Sequence, residues 1–146
     1  MKIQLKEVLE LAQVAYKKFW RPTNDESKGD KSAAKVTRHW QEKVMRLGNG
    51  WYQTEVPIPE LGEKIDLVNL TDRIAYELKA SGNNPGHEFY KDVFKILVFN
   101  EKSKRKIRTL VFITEKKGVE KLKRGLGAAA VGYARKLNLQ IELIPF

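Results

Sequence analysis

The sequence predicts an α/β protein: a mixed five-stranded sheet flanked by helices, in the order α-βββ-α-β-α-β, with one extra helix at the amino terminus. Three observations carry this. Two stretches with helical apolar spacing precede the first strand-like run. Three short runs rich in β-branched and aromatic residues then follow at meander spacing. From there to the end, helical and strand-like patterns alternate, which is the signature of a crossover between parallel strands.

Residues 3–20 place Leu5, Val8, Leu9, Ala12, Tyr16, Phe19 and Trp20 on one helical stripe, and Pro22 closes it. The polar, glycine-containing "TNDESKGDK" reads as a loop. Ser32 is the expected N-cap of a second helix, which carries Val36, Trp40, Val44 and Leu47 and stops at Gly48. "WYQTEVPI" is a strand that Pro57 and Pro59 end or confine to a sheet edge. Residues 64–70 and 73–80 flank Thr71 and Asp72 at hairpin spacing.

"SGNNPG" is a turn-rich loop. Phe89, Tyr90, Val93, Phe94, Leu97 and Val98 then recur at helical spacing between His87 and Asn100. "TLVFIT" is a continuous apolar run suited to a strand covered on both faces, and Gly118–Leu137 reads as a fourth helix. The terminal "LQIELI" alternates as an edge strand does. One domain is expected, with residues 1–31 an amino-terminal helix and linker and residues 32–146 the core.

Composition narrows the chemistry. The chain has no run of about 18 apolar residues to span a bilayer, and Glu7 and Glu10 interrupt any signal-peptide stretch, so an intracellular, cytoplasmic protein is expected. Without cysteine there is no disulfide framework and no thiolate zinc site, and only His39 and His87 remain as nitrogen ligands. A metal would be held mainly by oxygen, which favours magnesium or manganese. The net charge of +10 makes nucleic acid the first partner to consider.

The hairpin holds the chemistry. If Thr71 and Asp72 form a two-residue loop, Leu70 faces Arg73 and Asp66 falls opposite Glu77, with Cβ atoms about 4.5–5.5 Å apart. Lys79 points to the same face as Glu77. Two carboxylates this close repel unless a cation sits between them, and a hard divalent ion supplies one. A one-residue slip would turn Asp66 to the other face. An ion that polarises a phosphoryl oxygen, beside a lysine that orients water or steadies developing charge, is equipment for phosphodiester hydrolysis.

"ID" at 65–66 followed by "YELKAS" at 76–81, with its Glu-x-Lys, resembles the PD-(D/E)xK nuclease superfamily of restriction-endonuclease-like fold, with Ile65 in place of the motif's proline. The element order over residues 32–146 resembles that superfamily's core. The resemblance implies a magnesium-dependent DNA endonuclease in which Asp66 and Glu77 bind the metal and Lys79 assists water attack. It also implies a homodimer where both strands are cut. Glu55 is a candidate for a further acid; Glu42, opposite the apolar stripe of its helix, is not favoured.

Ser81, Asn83, Asn84, His87 and Lys91 follow the lysine directly and are candidates for DNA contact. The resemblance also implies that a polar or basic residue of the following helix can join the site, for which Lys91 and Lys95 are the candidates. Lys104, Arg105 and Lys106 are candidates for tracking a nucleic-acid backbone. The alternatives are a polar turn, a solvated loop and, for the whole chain, a non-catalytic nucleic-acid-binding module. "GLGAAAVGYA" lacks both the preceding strand and the spacing of a phosphate loop, so its small residues are read as close packing against the sheet or another subunit.

Overall fold

Helix α1 (Leu5–Phe19) starts where the Glu7 carboxylate accepts the Gln4 backbone N–H, and it buries Val8, Ala12 and Ala15. Those residues meet Val36, Trp40 and Val44 of α2 (Glu26–Leu47), and Trp40 Nε1 donates to the Val8 carbonyl at 3.1 Å. This computed structural model describes residues 3–22 and 26–146, with side chains for 3–22 and 31–146.

Helix α2 begins before the expected N-cap. Residues 26–31, read from sequence as loop, are helical, while 23–25 lie outside the described residues. Ser32 sits inside α2 with its hydroxyl accepting the Arg21 N–H at 3.3 Å. The cap preference of serine is a local bias, and Lys31, Ala33, Ala34 and Lys35 around it are good helix formers that override it.

Strands β1 (Gln53–Ile58), β2 (Glu63–Asn69), β3 (Ile74–Leu78), β4 (Thr109–Thr114) and β5 (Gln140–Pro145) form one sheet in sequential order. β1–β2 and β2–β3 are antiparallel, β3–β4 and β4–β5 parallel, so β2 alone runs against the other four. The second hairpin keeps the expected register: Leu67 pairs with Tyr76, Val68 with Ala75 and Asn69 with Ile74. Its connection is longer than expected, Leu70–Arg73 rather than Thr71–Asp72 alone. A two-residue hairpin loop of type I′ would need positive φ at both central positions, which Thr-Asp disfavours. Here Asn69 Oδ1 accepts the Asp72 N–H at 3.0 Å, and Arg73 takes the left-handed conformation at φ 60°.

Helices α1 and α2 cover one face of the sheet over Leu67, Tyr76, Leu78, Val111 and Ile113. The other face packs Ile65, Val68, Ala75, Leu110 and Phe112 against α3 (Pro85–Lys102), α4 (Lys116–Leu122) and α5 (Gly125–Lys136). The expected fourth helix is therefore two. The break is at Arg124–Gly125, where Gly125 has φ 57°, and Gly127 then lies so close to Leu122 that a Cβ would come within 2.2 Å of its carbonyl oxygen.

The buried face of α3 differs from the expected stripe. Phe89, Asp92, Val93, Lys95, Ile96 and Phe99 point inward, while Phe94 is 62% exposed. Two charged residues can occupy this face because they pair with each other, with Lys95 Nζ 2.9 Å from Asp92. Among the described residues no helix is long and apolar enough to cross a membrane.

Candidate functional site

The site is built where the sheet loses its regularity. Ile65 turns toward α3 and Leu67 toward α2, although residues two apart on a strand share a face. Across the ladder, Tyr52 packs on the α2 side and Ile58 on the α3 side, so β1 changes face over the same stretch. The switch centres on Glu55 and Asp66. Glu55 has φ 50°, a conformation that costs a non-glycine residue energy, and the ladder pairs Thr54 with Leu67 and Val56 with Ile65 while skipping the pair between them.

Side chains complete what the backbone leaves open. Gln41, buried on α2, donates Nε2 to the Asp66 carbonyl at 2.7 Å and to Glu55 Oε1 at 3.1 Å. Asp66 Oδ2 accepts the Leu78 backbone N–H at 3.0 Å, which fixes the carboxylate against β3 beside Glu77. The register thus brings Asp66 and Glu77 together as expected. Lys79 follows the end of β3 and lies on the wall of the same cleft, with its backbone N–H held by the Ile113 carbonyl at 2.9 Å.

This cleft has a volume of about 820 Å³. Glu55, Asp66, Glu77, Asp92 and Lys95 line it, Glu77, Asp92 and Lys95 buried and Glu55 exposed, together with Trp20, Ala33, Thr37, Asn83, Asn84 and Lys91. Loop 81–84 is anchored from below. Glu115 Oε1 accepts the Gly82 N–H at 2.6 Å, Thr114 Oγ1 donates to the Ser81 carbonyl at 3.2 Å, and Gly82 abuts Gly118 with no room for a Cβ on either.

Electrostatics set the site apart from an ordinary ion-pair cluster. Lys95 is 5% exposed, with Nζ 2.8 Å from Glu77 Oε1, 2.9 Å from Asp92 Oδ1 and donating to the Lys64 carbonyl at 2.7 Å. Burial alone would lower its pKa, but the charges of Glu77 and Asp92 outweigh that and raise it. One buried ammonium thus pairs with two carboxyls, Glu77 and Asp92, and a third, Asp66, lies beside Glu77. Burial raises all three: Asp66 is raised although its hydrogen bonds with Leu78 and Glu77 oppose it, Glu77, with the charges of Asp66 and Asp92 adding to burial, stands well above the usual carboxylate range, and Asp92 is pushed up to about 6.

The chain matches no protein-family profile, no curated protein and no solved structure.

The donor chemistry of Asp66 and Glu77 suits a hard divalent cation. Among the described residues no three acids or histidines are already arranged around a common point as a metal site, and Lys95 supplies the positive charge between Glu77 and Asp92. Of the other sequence candidates, Glu55, Ser81, Asn83, Asn84, Lys91 and Lys95 line the cleft, with Lys91 Nζ 3.4 Å from Glu88 and 3.9 Å from Glu63. His87 is exposed and does not line it. Lys104, Arg105 and Lys106 lie at the other end of the sheet, before β4. Sequence reasoning missed Gln41 and Asp92. Asp92 had a signal, a charge set between Phe89, Val93 and Ile96 and three residues from Lys95; Gln41 had none.

Proposed function

We propose that this chain is a metal-dependent DNA endonuclease of restriction-endonuclease-like fold. The observation that carries the reading is an excess of acid over base in the cleft: the one buried ammonium, Lys95, pairs with Glu77 and Asp92, while half-buried Asp66, beside Glu77 on β2 and β3, forms no ion pair among the described residues. The Glu-x-Lys at the end of β3, the sequential sheet and the +10 net charge support it. Asp66 and Glu77 would hold magnesium or manganese, which when bound supplies Lewis-acid polarisation of a phosphoryl oxygen. Lys79, on the cleft wall, would orient the attacking water or steady charge developing on the phosphate. Lys95 keeps Glu77 in place, and Gln41 holds Asp66. Cutting both strands calls for two sites, which a homodimer supplies.

The test is incubation of plasmid, branched and single-stranded DNA with magnesium or manganese, with EDTA as control. Lys79→Ala should lower cleavage by roughly 10²–10³, the usual loss when one charge-stabilising donor is removed. Manganese binding, followed by calorimetry, should disappear in Glu77→Gln and persist in Lys79→Ala. Cleavage that survives Lys79→Ala unchanged would sink the assignment.

The Lys95 ion pairs favour one other reading, a nucleic-acid-binding module whose acids are neutralised internally. Metal-independent DNA binding with no cleavage of any substrate would select it.

A further inference from the structure

The basic segment before β4 does not belong to the cleft. Parallel strands β3, β4 and β5 begin in one row, at Ile74, Thr109 and Gln140. Lys79 and loop 81–84 lie past their carboxyl ends; Arg73, Arg108 and the loop between α3 and β4 lie before their amino ends. The six residues of β4 separate the two ends by about 17–20 Å.

Lys104, Arg105 and Lys106 gather at the amino end with Arg73 and Arg108. The last turn of α5 adds Arg135 and Lys136 where the chain enters β5. All seven are exposed, and among the described residues none of them forms an ion pair.

Two features distinguish this end from a solvated loop. Arg73 and Arg105 share a hollow of about 350 Å³ with Leu70 and Thr71, and no carboxylate lines it. Like charges placed side by side repel, and an anion between them reverses the sign. The loop is also held in place: Asn100 Nδ2 donates to the Ile107 carbonyl at 2.8 Å, its Oδ1 accepts the Ile107 N–H at 2.6 Å, and Ile107 is fully buried. Ser103 Oγ donates to the Arg105 carbonyl at 3.1 Å. A loop ordered in advance loses little entropy when it binds.

We propose that this end is a second nucleic-acid docking surface, which grips the phosphate backbone of a DNA segment other than the one in the cleft. The inference rests on the nucleic-acid partner proposed above. Phosphate contacts position without reading bases, which suits lysines and arginines spread over three chain segments. The two surfaces face opposite ways along the strands, so a straight duplex seated in the cleft leaves the basic end free for another.

The experiment counts labelled short duplexes bound per chain at low salt in EDTA, where metal-dependent cleavage does not intervene. Arg105→Glu/Lys106→Glu should bind one duplex fewer per chain than wild type, and Arg135→Glu/Lys136→Glu, on a separate element, should show the same loss. Both should keep the wild-type cleavage rate on a short duplex in magnesium. The salt slope of the remaining binding should fall by roughly 0.9 for each phosphate contact removed. Equal stoichiometry in wild type and both variants overturns the proposal. So does displacement of that duplex by polyglutamate at the same charge concentration, which would assign the surface to an acidic protein. Two duplexes bound with no cleavage in magnesium would remove the nuclease reading and leave the docking surface standing; no duplex bound at all would remove both.

Discussion

Lys95 is the residue on which the balance of the site turns. Replacing it by methionine keeps the length of the side chain but leaves Glu77 and Asp92 buried without a partner, and breaking a buried pair in this way costs about 3–5 kcal/mol. Urea denaturation at neutral pH checks it, and a loss under about 1 kcal/mol would mean that the acids are neutral in the folded chain. Asp92 gives the protein a pH dependence of known sign. Its carboxyl, ordinarily ionising at 3.8, ionises at about 6 in the folded chain, chiefly because it is buried. Between those values the folded state holds a proton that the unfolded chain has released, so stability falls as pH rises through the window. Asp66 and Glu77, also raised, contribute with the same sign, so Asp92→Asn should shrink that decline without abolishing it; parallel curves for variant and wild type from about pH 4 to 6 would refute the contribution of Asp92.

At the scale of elements, the glycines of the split fourth helix divide sharply. Gly127→Ala drives a Cβ into the Leu122 backbone and should destabilise by at least about 1–3 kcal/mol, because a backbone neighbour gives way only if α4 and α5 separate. Gly132, in the same helix, has open space where a Cβ would stand, with nothing within 4 Å, and Gly132→Ala should stabilise by about 0.5–1 kcal/mol. Thermal melts of the two variants should move in opposite directions. This helix also shows what sequence could and could not reveal. Strand order and hairpin register were legible because alternation and apolar runs report burial directly, and with them came Asp66, Glu77 and Lys79. The break before Gly125 was not, because a glycine inside a helical pattern looks the same whether it is tolerated or obligatory. The inward face of α3 was misjudged for a related reason: apolar residues surround it, and only the pairing of Asp92 with Lys95 decides which side is buried. Glu55 was a candidate from its strand alone, while its left-handed backbone and its bond to Gln41 depend on residues far apart in the chain.

For the molecule as a whole, the amino-terminal helix is part of the core and not an appendage. Val8, Ala12 and Ala15 are fully buried against the same cluster as Trp40 and Tyr76, and the Tyr52 hydroxyl donates to the Ile3 carbonyl at 2.9 Å. A chain beginning at residue 23 should lose its cooperative thermal transition; a melt within a few degrees of the full chain, followed by circular dichroism, would show that α1 is dispensable. The irregular stretch of β1 has a last consequence, for behaviour in company. A chain this basic crowds along any polyanion it binds, bringing unpaired strand edges of neighbouring copies within reach of each other, the usual route to edge-to-edge aggregation. Here the outer rim of β1 is interrupted by the left-handed turn at Glu55 and by Pro57, which has no N–H to offer, and β5 on the opposite rim ends in Pro145. The distortion that shapes the acid site also denies neighbouring chains a continuous template.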